Sequence, residues 1–113
     1  MRPEQVAGAF REWCRDQRCV LHPARFGFGS AGGCDPHHVR SRGAGGVDRG
    51  NVVPLCRGCH EWAQERSVRE IFTETGIGLY DMAQRVWDWW TLDCARLQID
   101  VMAPAGTLFP TTP

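Results

Sequence analysis

The stretch PHHVRSRGAGGVDRGNVVPLCRGCHEWAQ, Pro36 to Gln64, carries three of the chain's four histidines and two of its six cysteines. What it binds therefore decides how the rest of the chain folds around it. Its C-terminal part contains Cys56-x-x-Cys59-His60, which has four physical readings: a haem attachment site, a redox dithiol, half of a zinc knuckle, or a zinc knuckle with a working histidine beside it. Haem attachment requires export and a second axial ligand, and no export signal is read in the sequence. A thioredoxin-like dithiol needs alternating β and α units around the motif, and too little parallel-sheet sequence is present.

Zinc is better supported, because Cys19-Val-Leu-His22 forms a second two-ligand knuckle upstream. With Cys56 and Cys59 it makes a Cys₃His set, a standard closed tetrahedral site. Thirty-three residues separate His22 from Cys56, so an ion there closes a long loop. Cys34 is the alternative fourth ligand. Cys14 and Cys94 fall on apolar helical faces and read as core.

Between the knuckles stand His37 and His38, then twelve residues, Asn51, eight residues and His60. Two adjacent imidazoles are costly to bury without partners. They are useful where one binds a metal and the other stays free. Neighbours on a strand point to opposite faces, although twist or a bulge can bring both near one site.

At 113 residues with 42% apolar side chains, the chain can bury one modest core and no more. A domain of that size is often helped by a metal. Arg2, Glu4, Arg11, Glu12, Arg15 and Asp16 interrupt the first twenty residues, and no 18-residue apolar run offers a membrane span. The expectation is a cytoplasmic protein with reduced thiols. The formal net charge is zero, which argues against binding by bulk phosphate attraction. All thirteen basic residues are arginine, and six of them lie in residues 37–70 against four acids.

Helices are expected from Pro3 to about Arg18, from Cys59 to about Phe72 and from Tyr80 to Leu97, on the spacing of their apolar residues. Short strands are expected around His37–Arg40 and Asn51–Leu55, joined by a Gly-rich loop, with HPARFGFGSAGG as loop. The Trp87-x-Trp89-Trp90 cluster reads as core. Residues 1–102 form a single domain with its motif at 19–66. Residues 103–113 read as a flexible tail.

The ordered pattern PHH…GG…D…NVVPLC..CH resembles the HNH motif of the ββα-metal (His-Me finger) endonucleases. It is especially similar to the zinc-knuckle form found among phage proteins, including the RecA-dependent, Ref-like nucleases. The resemblance covers residues 19–66, a little over two-fifths of the chain, and implies a small α+β domain: a ββα-metal core with a structural zinc knuckle and flanking helices. It implies hydrolysis of DNA phosphodiester bonds to 5′-phosphate and 3′-hydroxyl ends. His38 would be the general base, with Asn51 fixing it by a hydrogen bond or binding the metal. His37 and His60 would hold a catalytic Mg²⁺ or Mn²⁺, with Zn²⁺ or Ni²⁺ also suited to imidazoles. Relatives carry a third metal-binding histidine four residues after the helix histidine, where this chain has Gln64. A Gln64 ligand makes the ion more exchangeable.

Arg40, Arg42 and Arg49 flank this site as expected DNA contacts. Arg57, Arg66 and Arg69 lie beyond it. The implied partners are DNA and either a second copy of the chain or a recombinase or packaging motor. The implied setting is phage-derived, in the host cytoplasm. A non-catalytic zinc-knuckle nucleic-acid-binding module and an accessory subunit are the competing classes.

Overall fold

The computed structural model describes residues 2–29, 33–41 and 48–96. Among them the chain forms α1 (Pro3–Arg15), α2 (His22–Phe26), β1 (Asp35–His38), β2 (Val52–Leu55), α3 (Arg57–Gln64), α4 (Val68–Thr75) and α5 (Leu79–Arg96). The class is α+β: five helices around one two-stranded antiparallel sheet.

The strand register pairs Asp35 with Leu55, Pro36 with Pro54, His37 with Val53 and His38 with Val52. Two prolines face each other in this ladder without loss. Val39 N–H bonds to the Asn51 carbonyl at 2.8 Å, and the alternation of an antiparallel ladder then puts Pro36 and Pro54 at a non-hydrogen-bonded pair. The outer edge of β2 is used too, since the Pro54 carbonyl accepts from Val20 N–H at 3.1 Å. All four β2 residues are buried, because α5 packs against this strand.

Pro3 opens α1, where a missing N–H costs nothing. The helix closes at Arg15, short of the expected Arg18. Asp16 and Gln17 N–H turn back to the carbonyls of Trp13 and Cys14, and the Gln17 side chain caps the Trp13 carbonyl at 3.1 Å. That early stop lets residues 18–21 run beside β2 and deliver Cys19. The segment expected as loop contains a helix of barely more than one turn. Pro23 starts it, and Gly27 at φ 82° ends it in the left-handed region.

The long helix expected from Cys59 to Phe72 is two helices. Ser67 caps α4, its Oγ accepting from Glu70 N–H at 3.1 Å while the Glu70 carboxylate accepts from Ser67 N–H at 3.0 Å. This reciprocal box overrides the apolar spacing that suggested one helix. Helix α5 runs as expected to Arg96. Leu97, the tail at 103–113 and Arg42 lie outside the described residues.

Phe10, Trp87 and Trp90 form the centre of the core. Phe10 packs edge-on to Trp87 at 4.9 Å between ring centroids and lies 5.1 Å from Trp90. Cys14 and Cys94 are buried beside them, as the apolar spacing indicates. Burial pushes the Cys14 thiol up to about 12. Trp89 is half exposed. Trp13 Nε1–H donates to Asp93 at 2.9 Å, tying α1 to α5. No helix among the described residues is long and apolar enough to cross a membrane.

Candidate metal centre and histidine cleft

Cys19 arrives from the α1–α2 connection, and Cys56 and Cys59 from the first turn of α3. The three Sγ atoms lie within 4.8 Å of one another, a cluster able to hold a metal ion such as zinc. His22 Nδ1 lies 3.5 Å from Cys56 Sγ, a contact with one of the three sulfurs, and is not itself among the atoms clustered within 4.8 Å. Cys34 is not in this cluster. It is buried, its N–H donates to the Arg15 carbonyl, and it lies near enough to Cys14 to affect its ionisation.

The thiols are unequal. Burial pushes Cys56 up, but the Cys59 backbone N–H, His22 and the other two thiols together outweigh it, and Cys56 comes down to about 7. Burial pushes Cys59 up to about 12 against the opposing Arg25, whose guanidinium donates to Cys59 Sγ at 3.1 Å. Arg25 also covers one side of the contact with Trp62, 4.3 Å from its ring centroid, and Arg66 stands 4.2 Å from the same ring. This stack locks α2 onto α3 beside the sulfurs.

One residue beyond Cys59, His60 turns toward β1. Its ring meets His37 at 5.1 Å between centroids and nearly at right angles. Strand periodicity puts Asp35 on the same face as His37, and Asp35 accepts from His60 Nδ1–H at 3.0 Å. Arg57 Nε reaches the same carboxylate oxygen at 3.4 Å. With Nδ1 engaged, Nε2 is the nitrogen His60 has left to offer. Burial, then the neighbouring His60 and His38, push His37 down to about 4. A ring so placed is neutral at physiological pH, the form that ligates metals.

His37 and His38 point to opposite faces of β1, yet both line one cleft of 320 Å³ together with Ser41, Gln64 and Arg66. Gln64 is exposed and stands one helical turn beyond His60, so its amide can reach the space that His37 borders. His38 Nε2 is bonded to Asp48 Oδ1 at 2.8 Å, and the other Asp48 oxygen pairs with Arg11 of α1. Asp48 is buried. Burial alone would raise its carboxyl, but the bonds from His38 and Arg11 prevail and hold it below the usual carboxylate range.

Asn51 does not bond His38, contrary to what the resemblance implies. Its Oδ1 accepts from Arg40 N–H and its Nδ2–H donates to the Arg40 carbonyl, each at 2.8 Å. The side-chain amide mimics a peptide group and adds a rung to the hairpin just past the strand ends. The partner on His38 is Asp48 instead. Both Asn51 polar atoms bond the Arg40 backbone.

Arg40 and Arg49 are exposed at this end of the hairpin. Arg57 is largely exposed despite its contact with Asp35. Arg66 is held by Trp62 and Glu74.

Three residues enter that the motif reading did not single out, Arg11, Arg25 and Asp35, and Asp48, the D of the ordered pattern, gains a partner that the pattern did not assign. Asp35 was accessible through strand period two, counted back from His37. Arg11 and Arg25 carry no local signal, since their partners lie 37 and 34 residues away. Comparison of the chain with known protein families, curated proteins and solved structures finds no match.

Proposed function

We propose that this chain is a metal-dependent endonuclease of the HNH type, hydrolysing DNA. The observation that carries the reading is the gathering of three histidines about β1. His37 and His60 meet ring to ring from strand and helix, while His38, which lines one cleft with His37, is held by a buried carboxylate. Two imidazoles in ring contact beside a third with a fixed partner are more than a binding surface requires.

Cys19, Cys56, Cys59 and His22 would hold a structural zinc, for which three sulfurs and one nitrogen are a suitable donor set. His37 and His60, with Gln64 as a weak oxygen donor, would hold an exchangeable divalent ion, Mg²⁺ or Mn²⁺. Such an ion would supply charge neutralisation on the phosphate and on the leaving 3′-oxygen. Asp35 fixes the rotation of His60 and leaves the opposite nitrogen for ligation.

His38 uses Nδ1 to take a proton from a water placed in line with phosphorus. The water oxygen bonds to phosphorus, and the bond to the 3′-oxygen breaks. The 3′-oxygen takes a proton from solvent, and the new hydroxyl stays on the 5′-phosphate. Arg40 and Arg49 are disposed to hold phosphates flanking the cut. The zero net charge favours weak DNA affinity of the isolated chain, and so delivery by a partner protein or by a second copy.

The test is plasmid nicking by zinc-loaded protein with Mg²⁺ or Mn²⁺, comparing wild type with His38→Ala. Nicking by wild type and its loss in the variant support the reading. If both are equally inert across metals while DNA binding persists, the chain is a zinc-knuckle binding module instead. Nicking that appears only on adding a recombinase or packaging protein makes it an accessory subunit.

A further inference from the structure

We infer that Asp48, anchored by Arg11 of the N-terminal helix, is the positioning residue that sets the tautomer and orientation of His38. This rests on the nuclease reading for its consequence, but its geometry stands independently. His38 ends β1, and its ring can turn about its last side-chain bond unless a partner fixes it. That partner is Asp48, at 2.8 Å from Nε2. An ionised carboxylate only accepts hydrogen bonds, so Nε2 carries the proton. In the neutral ring Nδ1 then holds the lone pair, the state a proton acceptor needs.

Asp48 is itself fixed from three sides. Its second oxygen is paired with Arg11. Its backbone carbonyl accepts from Asn51 N–H at 3.2 Å. The turn between them is closed by Gly50 at φ 65°, where a Cβ would also come within 2.9 Å of the Gln84 side chain. The guanidinium offsets the carboxylate charge and so keeps it ionised in a nearly buried position. Asn51, the other polar side chain nearby, is committed to Arg40 and leaves this work to Asp48. The chain Arg11–Asp48–His38 thus joins α1, which lies outside the histidine motif, to the imidazole that shares a cleft with His37.

A purely structural alternative exists: the pair Arg11–Asp48 ties α1 to the hairpin, and His38 is a bystander. Three readouts separate the two. Long-range ¹⁵N–¹H correlation spectra of the full chain assign the tautomer of His38 directly. The expected result is the Nε2–H form in wild type, converted partly or wholly to Nδ1–H in Asp48→Asn, whose amide can donate. Nδ1–H in wild type overturns the inference, whether or not any variant folds.

In nicking assays Asp48→Asn lowers kcat about 10- to 100-fold, a part of what general-base catalysis supplies, with KM within about twofold. Arg11→Ala lowers kcat less than Asp48→Asn does, and Arg11→Lys recovers most of that loss. A folded, zinc-loaded Asp48→Asn protein with wild-type kcat overturns the role of Asp48. If His38→Ala is inactive in the same series, the nuclease reading survives that failure. If wild type itself is inert with every metal, both the nuclease reading and the catalytic consequence fall together.

Discussion

Asp35 illustrates how one carboxylate can organise a site without occupying it. It accepts from His60 Nδ1–H and sits within reach of Arg57, so it sets both the tautomer and the rotation of the ring. Carboxylates placed behind a ligating histidine typically contribute about 10- to 100-fold in metal affinity. Asp35→Asn should therefore weaken Mn²⁺ binding by that order in titration calorimetry, while zinc content stays near one ion per chain. Equal Mn²⁺ affinity in the variant would remove Asp35 from the site. Asp48 supports a pH prediction. Its carboxyl is held below the usual range by His38 and Arg11, so its contribution to stability is complete above about pH 4. It is lost as the pH falls through the lower folded-state value. The gap in urea midpoint between wild type and Asp48→Asn should be widest at neutral pH and shrink in strong acid. A gap that grows in acid would contradict the assignment.

At the scale of elements, the hairpin and α3 do most of the placing. Strand β1 gives its alternate faces to different tasks, Asp35 and His37 toward α3 and His38 toward Asp48. The first turn of α3 gives Cys59 to the sulfur cluster and His60 to the contact with His37 and Asp35. The break after α3 depends on Ser67, whose hydroxyl caps α4. Ser67→Ala should cost about 1 kcal/mol, read as a lower urea midpoint with an unchanged slope. This break was available in the sequence as Ser67-x-x-Glu70, yet apolar residues on both sides keep helical spacing through it and mask it. The sulfur cluster was legible because Cys19-x-x-His22 and Cys56-x-x-Cys59 are local patterns whose spacing itself restricts geometry. The clustering of His37 with His60 was suggested only by the ordered motif, since strand alternation alone separates neighbours. Asn51 shows the limit. Its identity and position marked it, but its partner is Arg40 rather than His38, because the choice depends on how far the hairpin ladder extends. The pairing of Asp48 with His38 spans ten residues of sequence with no periodicity to read.

For the molecule as a whole, one small core carries all of this. Phe10 joins α1 to Trp87 and Trp90 of α5, and the buried β2 lies against the same helix. Phe10→Ala should cost about 3–5 kcal/mol, a large share of the roughly 5–15 kcal/mol that holds a domain together. Loss of cooperative unfolding in that variant is the expected extreme. With so little apolar mass, the sulfur cluster is expected to contribute to folding: a strong chelator should lower the thermal midpoint of zinc-loaded protein, and Cys56→Ser should abolish the difference. A midpoint indifferent to chelation would mean that Cys19, Cys56 and Cys59 hold no stabilising ion.

Arg11 and Phe10 are sequence neighbours on α1, one paired with Asp48 and the other in the centre of the core. The stretch from 19 to 66 contains every histidine and the whole sulfur cluster, but neither of these two residues. Grafting that stretch alone onto another scaffold would carry over a legible signature and leave its support behind. The supporting unit here is larger than the recognisable one. Moving the stretch into another protein would need a break point upstream of α1, or a new cationic partner for Asp48 in the recipient.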